Sequence, residues 1–223
     1  MKPNIIVVGP SGFGKSTSIE NLDPETTVIL NTERKALPFR RASLFKRQRF
    51  IDRLEDFGEQ KGFDTLFEIA LMDRDKNTKV IVIESFTSLS EIVLAKAKRT
   101  KVGFDVYGWY QSKITDIIQK SKSNPDIYVV FTAIDDLVKN DAELTLRSVK
   151  VEGKALEGKI EKEFVICLHT VIERDEKGNP KYQFLTNSDG IRTAKSPKGM
   201  LPRYMPNDLA EVIKLSEEYY KGE

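Results

Sequence analysis

The segment from Gly9 to Ser16 constrains this chain more than any other part of its sequence. It reads Gly-Pro-Ser-Gly-Phe-Gly-Lys-Ser, which matches the phosphate-loop pattern G-x-x-x-x-G-K-[ST]. The apolar stretch Ile5 to Val8 comes directly before it, and a helix over Lys15 to Asn21 is predicted to follow. Because a loop of this kind connects a buried strand to a helix, the motif indicates an α/β fold.

Each part of this loop suits the binding of a nucleoside triphosphate. Gly12 and Gly14 permit backbone conformations that direct successive N–H groups at one anion, and the positive end of a following helix adds to the attraction. Lys15 is expected to reach the β- and γ-phosphates, and the Ser16 hydroxyl to ligate Mg²⁺. The predicted nucleotide-binding residues are Gly9, Pro10, Ser11, Gly12, Phe13, Gly14, Lys15, Ser16 and Thr17.

Short apolar runs with β-branched residues alternate with stretches of helical character along most of the chain. The predicted strands are Asn4 to Val8, Thr26 to Leu30, Lys79 to Ile83, Ile127 to Thr132 and Phe164 to Thr170. The other predicted helices are Phe63 to Met72, Ser88 to Arg99, Tyr107 to Lys122 and Asn207 to Tyr220, the last capped by Asn207 or Asp208. Runs that are apolar on both faces favour a mainly parallel sheet flanked by helices.

The last third of the chain has a different pattern. Leu144 to Val151 alternates like an exposed strand. Val171 to Glu173 and Lys181 to Leu185 flank the turn-forming stretch Asp175 to Pro180, which predicts a C-terminal antiparallel hairpin. Because no linker or repeat interrupts the sequence, residues 1–223 are predicted to form one domain.

Composition excludes several classes of protein. With 39% hydrophobic and 31% charged residues, the chain resembles neither a disordered nor a membrane protein, and no apolar run approaches the roughly 20 residues that span a bilayer. Met1-Lys2-Pro3 leads directly into a strand, unlike a signal peptide. The single cysteine, Cys167, favours a reducing cytoplasm, and the single histidine, His169, lies in an apolar run and is expected in the core. The net charge of +2 makes no prediction about nucleic acid.

One glutamate ends a predicted strand and suits a metal-binding role. The apolar run Val80 to Ile83 is followed by Glu84, at the position where P-loop enzymes carry an acid that holds Mg²⁺ through its water shell. The usual residue is Asp, so the longer Glu84 side chain changes the geometry of that shell. A solvated residue at a strand end is the alternative.

A second glutamate, Glu33, follows the strand Thr26 to Leu30. If this strand lies beside the one that ends in Glu84, Glu33 falls near the γ-phosphate and can orient and deprotonate a water molecule. The alternative is a surface glutamate that forms salt bridges with Arg34 or Lys35. Lys15, Glu33 and Glu84 are therefore the predicted catalytic residues, and Ser16 and Glu84 the predicted metal ligands.

Two segments resemble motifs of RecA-type recombinases. Asn31-Thr32-Glu33 resembles the segment that carries their catalytic glutamate, and Val80 to Leu89 resembles their second acidic motif, in which Asp is followed by Ser. Further matches are Pro38-Phe39, Glu157 to Phe164 and Ala194 to Met200, so the resemblance extends over nearly the whole chain. The chain is most similar to RecA-core ATPases of bacteriophages and prophages, in particular the Sak-four type of single-strand annealing protein.

This resemblance implies a RecA-like ATPase that uses ATP and Mg²⁺, binds single-stranded DNA and assists annealing and recombination in a bacterial host cytoplasm. It implies ATP between the subunits of a ring or filament, stimulation of hydrolysis by DNA or assembly, and a single-strand DNA-binding protein as a further partner. Lys15 then takes the phosphate role, Ser16 and Glu84 the metal roles, and Glu33 the water role. The candidates for a basic finger that reaches a neighbouring subunit's γ-phosphate are Arg192, Lys195 and Lys198; a solvated basic loop is the alternative.

Two segments combine cations with aromatic rings, as proteins that bind single-stranded nucleic acid do. The first contains Arg34, Lys35, Arg40, Arg41, Lys46, Arg47 and Arg49, with Phe39, Phe45 and Phe50 between them. The second contains Lys96, Lys98, Arg99 and Lys101, followed by Tyr107, Trp109 and Tyr110. The predicted DNA-binding candidates are Arg40, Arg41, Arg47, Lys98, Arg99 and Lys101. The alternative is that the rings pack in the core while the cations face solvent; Asp135 to Lys154 is a third candidate region.

The sequence departs from the family pattern after the strand Ile127 to Thr132. Ala133-Ile134-Asp135 follows, where the family usually places a Gln or His that senses the γ-phosphate. Thr132 or Asp135 would have to supply that contact.

Two other functions fit parts of the sequence. A nucleotide or small-molecule kinase shares the opening Gly-Pro-Ser-Gly-x-Gly-Lys-Ser-Thr, but a glutamate directed at water favours hydrolysis, and the late hairpin does not match a kinase lid. A nucleotide-switched assembly protein without a DNA substrate fits the departure at Ala133-Ile134.

Overall fold

The computed structural model describes residues 1–73, 77–139 and 143–222 of the chain. Ten strands occur in this part. They are β1 (Ile5–Val8), β2 (Thr27–Asn31), β3 (Gln48–Phe50), β4 (Val80–Glu84), β5 (Tyr128–Ala133), β6 (Asp135–Lys139), β7 (Thr145–Val149), β8 (Ile166–Arg174), β9 (Pro180–Leu185) and β10 (Tyr204–Pro206). Four α-helices accompany them: α1 (Phe63–Met72), α2 (Phe86–Thr100), α3 (Asp105–Lys120) and α4 (Leu209–Lys221).

Eight strands form one sheet in the order β10-β9-β8-β1-β5-β4-β2-β3. The six strands from β8 to β3 are parallel to their neighbours, whereas β9 and β10 are antiparallel. The strands β6 and β7 form a separate antiparallel pair. The predicted α/β fold, a mainly parallel sheet with a C-terminal antiparallel hairpin, is confirmed.

Apolar residues cover both faces of the sheet. On one face, side chains such as Phe67, Val93 and Ile114 from α1, α2 and α3 pack on the strands. On the other face, Ile19 and Val212 belong to a second buried cluster that includes α4. Burial on both sides explains why the central strands are almost continuously apolar.

Several predicted boundaries agree with the structure within a few residues. The helix predicted for Phe63 to Met72 has those bounds as α1, and α4 begins after Asp208, whose side chain accepts a hydrogen bond from Ala210 N. The helix α2 begins two residues earlier than predicted, after Ser85, whose hydroxyl accepts a hydrogen bond from Ser88 N. Side-chain caps of this kind satisfy the first free amides of a helix.

The prediction of a helix over Lys15 to Asn21 is wrong. This fully described stretch contains a single 3₁₀ turn, Thr17–Ile19. The Ser18 hydroxyl donates to Lys15 O at 2.6 Å, a local bond that competes with helical geometry, and Pro24 follows too soon for a stable helix. A helix dipole therefore cannot add to phosphate binding as expected; the loop amides and Lys15 must supply it.

Candidate nucleotide site

The Ser16 hydroxyl donates a hydrogen bond to Glu84 Oε1 at 2.5 Å. The other carboxylate oxygen of Glu84, Oε2, accepts a hydrogen bond from Thr132 Oγ1. Glu84 is the last residue of β4, and its neighbours come from the phosphate loop after β1 and from β5. The residue is 4% exposed, so the predicted metal-site acid lies at the bottom of the site and not at a solvated strand end.

The strand register places the two predicted glutamates at the same edge of the sheet. Asn31 pairs with Glu84 across β2 and β4, and Thr32 N donates to Glu84 O at 2.6 Å. The Thr32 hydroxyl donates to Ser85 O and accepts from Ser85 N. These bonds fix the start of the segment that carries Glu33, and Thr32 is a positioning residue that the sequence analysis missed.

Glu33 lies on the turn that follows β2. The Asn31 side chain shapes this turn, because its Nδ2 donates to Lys35 O and its Oδ1 accepts from Arg34 N. Glu33 Oε2 forms a salt bridge of 3.2 Å with Lys35 Nζ, and the Glu33 side chain is 21% exposed. The salt bridge that the sequence offered as the alternative is therefore present, yet Glu33 also lines the cavity that contains Lys15, Ser16 and Glu84.

Lys15 points back into its own loop. Its Nζ donates to Gly9 O and Pro10 O, both at 2.9 Å, and the residue is 8% exposed. A phosphate oxygen would compete with these two carbonyls for the ammonium group, and a charged acceptor makes the stronger bond.

Burial determines the electrostatics of the site. It raises the pKa of Glu84 above its usual value, although the bonds from Ser16 and Thr132 act in the opposite direction. Burial also lowers the pKa of Lys15, partly offset by the negative charges of Glu84 and Glu33. Desolvation disfavours an isolated charge. A cation beside Glu84 would therefore stabilise its carboxylate, and a phosphate beside Lys15 would stabilise its ammonium group.

Two glycines of the loop are required by their surroundings. At Gly9 an added Cβ would lie 2.0 Å from Thr170 Oγ1, since the chain passes close to β8. At Gly14 the backbone has φ +88°, and an added Cβ would lie 2.5 Å from Asn207 Nδ2. A side chain at either position would displace the loop. Gly12 also has a positive φ of +80°, a conformation that glycine adopts readily.

A cavity of about 610 Å³ brings together most of the predicted site residues, but the predicted nucleotide-binding residues Gly9, Pro10 and Phe13 do not line it. It is lined by Ser11, Gly12, Gly14, Lys15, Ser16, Thr17, Glu33, Lys35, Pro38, Glu84, Ile134, Tyr182 and Asn207. The sequence analysis did not assign Pro38, Ile134, Tyr182 or Asn207 to the site. Tyr182 and Asn207 reach it through the antiparallel strands β9 and β10, a long-range arrangement without a local sequence signal.

The oxygen donors at this cavity suit Mg²⁺. The Ser16 hydroxyl and the Glu84 carboxylate face each other, and hard oxygen ligands are those that Mg²⁺ prefers. The Ser16–Glu84 pair would hold the ion, with Glu84 acting directly or through its water shell.

The two residues considered as γ-phosphate sensors both have partners within the chain. The Thr132 hydroxyl bonds to Glu84. Asp135 forms a salt bridge of 2.7 Å with Arg147, and the Asp135 side chain is buried. Ile134, within the stretch Ala133-Ile134-Asp135 where the sequence departs from the family pattern, lines the cavity.

The three basic finger candidates lie on the segment 192–198, of which Arg192 borders the phosphate loop. Arg192 forms an ion pair with Asp189 and lines a small cavity of about 110 Å³ with Pro10 and Phe13. The backbone of Lys195 pairs with Cys167 of β8. Lys198 is exposed in the loop that follows.

The first basic segment contains two packed rings, one exposed ring (Phe50, 58% exposed) and several exposed cations. Phe45 is 3% exposed and contacts the half-buried Phe39 edge to face, with 5.8 Å between the ring centroids. Both rings therefore belong to the core, as the alternative reading held. Arg40 and Arg41 are exposed, whereas Arg47 donates to Thr78 Oγ1 at 2.6 Å.

The second basic segment forms the end of α2 and the loop before α3. Lys98, Arg99 and Lys101 are exposed there. Phe104 is 97% exposed and Tyr107 52%, whereas Tyr110 is buried and bonds to the Ser90 hydroxyl. The third region, Asp135 to Lys154, contains residues 140–142, which lie outside the described residues.

The parallel sheet, the phosphate loop and the Ser16–Glu84 pair together define a P-loop NTPase. The family comparison agrees, because the profile of the AAA domain family matches residues 1–197. The chain belongs to this AAA domain family. No curated protein matches the sequence.

Among solved structures, the fold is similar to that of a prototypical ATPase from the type III secretion system of pathogenic bacteria. The TM-score is 0.50 and the sequence identity 15%, and the match covers 97% of this chain and 61% of that protein. The chain thus spans about three fifths of the length of this relative, and the likeness concerns the fold. None of the helices in the described part of the chain is long and apolar enough to cross a bilayer.

Proposed function

We propose that this protein hydrolyses ATP at the cavity around Lys15, binds single-stranded DNA and assists annealing or recombination in a phage or prophage. The observation that carries the proposal is the position of Glu33 on the same cavity as Lys15, Ser16 and Glu84. Such a carboxylate can accept a proton from an attacking water; a kinase would use it on an acceptor hydroxyl instead, so the phosphate-transfer assay described below separates the two.

Each residue has a definite part in the proposed reaction. Lys15 leaves Gly9 O and Pro10 O to neutralise the β- and γ-phosphates. Glu33 orients a water molecule and accepts its proton as the water oxygen bonds to the γ-phosphorus and the bond to the β-phosphate breaks. Mg²⁺, when bound at Ser16 and Glu84, neutralises charge on the phosphate oxygens.

The loop between α2 and α3 is the DNA contact that the exposed groups support best. Lys98, Arg99 and Lys101 provide positive charge for a phosphate backbone. Phe104 and Tyr107 present exposed rings on which bases can stack. Exposed apolar surface of this kind is costly in water, which favours a bound partner.

One residue of this proposed DNA contact, Arg99 near the end of α2, shares a cavity with the proposed catalytic glutamate. Arg99 and Glu33 both line a second cavity, of about 830 Å³, between α2 and the segment 52–57. DNA at the loop would alter the charge around this cavity, which offers a route from DNA binding to hydrolysis. Arg40 and Arg41 remain a second proposed contact, in the segment that follows the Glu33 turn in sequence.

We also propose self-association into a ring or filament, in which Arg192, Lys195 or Lys198 reaches the γ-phosphate held by a neighbouring copy. For Arg192 this requires exchange of its Asp189 partner for the phosphate. A single-strand DNA-binding protein is the further proposed partner. Chromatography with and without an ATP analogue tests assembly, and a monomer under both conditions would contradict it.

Phosphate release tests the catalytic half of the proposal. ATP turnover is measured with and without a single-stranded oligonucleotide, for the wild type and for Glu33→Gln. We expect turnover that depends on Mg²⁺ and is slowed in the variant. Transfer of phosphate to a nucleoside or nucleotide, in place of water, would refute hydrolysis as the function.

Oligonucleotide binding at several salt concentrations tests the DNA half. We expect Phe104→Ala and Arg99→Ala to weaken binding, with Arg99→Ala also reducing the salt dependence. Tyr204→Ala is the control, since Tyr204 is an exposed ring on β10, distant in the sheet order from α2. Absence of binding at low salt would eliminate the DNA role and leave the ATPase standing.

A further inference from the structure

The nucleotide cavity extends beyond the phosphate loop to the antiparallel end of the sheet. Tyr182 of β9 and Asn207, which follows β10, line it together with Gly14 and Thr17. Neither Tyr182 nor Asn207 has a part in the reaction proposed above. Their chemistry, an aromatic ring and a carboxamide, differs from the charged groups around Lys15.

Asn207 is joined to the phosphate loop. Its Nδ2 donates to Gly14 O at 2.8 Å across 193 positions of sequence, and its backbone N donates to Tyr182 O at 3.4 Å. The Asn207 side chain therefore has a fixed place beside the residue that precedes Lys15.

The other end of the Asn207 amide is unsatisfied. Its Oδ1 is buried and has no hydrogen-bond partner within the described ranges, although the residue itself is partly exposed and lines the cavity. A buried acceptor without a partner costs free energy, so a turn of the Asn207 amide that brings Oδ1 to the cavity and pairs it with an N–H donor of a ligand would be favourable.

Tyr182 supplies a surface for stacking at the same place. The residue is 41% exposed, and its Cδ1 would be 3.2 Å from a Cβ added at Gly14, so the ring borders the loop closely. An aromatic ring that is part-exposed inside a cavity can stack on a planar base.

The geometry points to Tyr182 and Asn207 as the subsite for the nucleoside base, with a preference for a purine that carries a 6-amino group. The inference rests on the proposed function, since it assigns the base of the same triphosphate. Tyr182 stacks on the ring system, and Asn207 Oδ1 accepts a hydrogen bond from the amine. Adenine presents a 6-amino donor, whereas hypoxanthine and guanine present a 6-oxo acceptor that would face an acceptor.

Calorimetry with three ligands distinguishes the contribution of the base to binding from that of the phosphates. The ligands are ATP, ITP, which has a 6-oxo group in place of the amine, and inorganic tripolyphosphate, which has no base; all are used with Mg²⁺. The variants are Tyr182→Ala, Tyr182→Phe and Asn207→Ala. Tyr204→Ala is the matched control, because Tyr204 is also an exposed ring, 42% exposed, on the neighbouring strand β10 and contacts Arg203.

We expect Tyr182→Ala to weaken ATP binding roughly tenfold, the size of a lost base–aromatic stack, and to leave tripolyphosphate binding unchanged. Tyr182→Phe should retain the wild-type affinity, since it keeps the ring. The wild type should bind ATP more tightly than ITP. Asn207→Ala should bring the ratio of these two affinities towards one. The variant also removes the bond to Gly14 O, and a change in overall affinity from that loss applies to both ligands and leaves the ratio unaffected.

The outcomes distinguish this inference from the proposed function. If tripolyphosphate and ATP bind to the wild type but Tyr182→Ala leaves ATP affinity unaltered, the base subsite is refuted and the ATPase proposal stands. An equal affinity for ATP and ITP in the wild type refutes the amine preference. If neither ATP nor tripolyphosphate binds, the proposed function is refuted and the subsite with it.

Discussion

Ser16 Oγ lies 2.5 Å from Glu84 Oε1, although 68 residues separate the two in sequence. The contact joins the phosphate loop to the end of β4, and it exists because β1 and β4 both flank β5 in the sheet. The serine hydroxyl and the carboxylate therefore face one point, where a magnesium ion on a triphosphate would be needed.

Replacement of Glu84 by Gln separates two effects of the buried carboxylate: its destabilisation of the fold and its contribution to hydrolysis. Burial raises the pKa of Glu84, so between its unfolded and folded pKa values the native state binds more protons and stability rises as the pH falls. At a pH above the pKa of Glu84 in the folded protein, the carboxylate is ionised and destabilises the native state to its full extent. We expect Glu84→Gln to raise the melting temperature of the nucleotide-free protein at neutral pH.

The rate of ATP hydrolysis should fall by about 100-fold or more in the same variant. The reason is that a metal ion that stabilises the transition state by several kcal/mol would lose its carboxylate ligand. Melting curves and phosphate release measured on one preparation test both expectations. A variant that is less stable than the wild type and still fully active would contradict both.

Lys15→Ala should weaken nucleotide binding, because the β- and γ-phosphates lose their positively charged partner. A hydrogen bond to a charged group contributes about 1.5–3 kcal/mol, so the affinity for ATP should fall roughly 10-fold to 100-fold, and Gly9 O and Pro10 O lose their donor. Calorimetry with Mg·ATP measures the change. Lys177→Ala, at the exposed turn between β8 and β9, is the control and should bind as the wild type does; equal affinities in both variants would remove Lys15 from the site.

Glu33→Gln should spare ATP binding and slow hydrolysis by about 100-fold to 10,000-fold, the usual contribution of a general base. The variant keeps the size of the side chain and its place beside Thr32, and it loses the charge that pairs with Lys35. Single-turnover phosphate release measures the chemical step. Glu176→Gln, exposed at the β8–β9 turn, is the control; undiminished turnover in Glu33→Gln would show that another group activates the water.

The parts of the fold that local pattern determines could be predicted from sequence. The helix Phe63–Met72 and the strands around Val8 and Ile83 follow from apolar periodicity, and the P-loop motif placed Lys15 and Ser16. Glu84 and Glu33 could be predicted to meet because parallel strands end at one edge of a sheet. The prediction of Glu33 needed the further assumption that β2 and β4 are neighbours, which the sheet order confirms.

The rest depends on contacts between distant parts of the chain. The edge strands Gln48–Phe50 and Tyr204–Pro206 have only three residues each, too few for a periodic signal. Asp135–Lys139 carries charges that conceal its pairing with β7. Asn207 could be recognised as a possible helix cap, but its bond to Gly14 O spans the whole chain, and no pattern in either segment predicts it.

The single histidine gives a prediction about acid stability. His169 is 1% exposed, its Nε2 lies 3.2 Å from Thr193 Oγ1, and burial lowers its pKa to about 4 from 6.5. A lowered pKa means that the unfolded chain binds a proton first as the pH falls, so His169 destabilises the native state progressively from about pH 6.5 down to about 4. At one pKa unit per 1.36 kcal/mol, this amounts to about 2 kcal/mol between pH 7 and pH 5.

Urea unfolding of the wild type and of His169→Gln at both pH values measures this loss of stability. We expect the variant to lose less stability by about that amount, because titration of the other groups cancels in the comparison. An equal loss in both proteins would mean that His169 is charged within the fold.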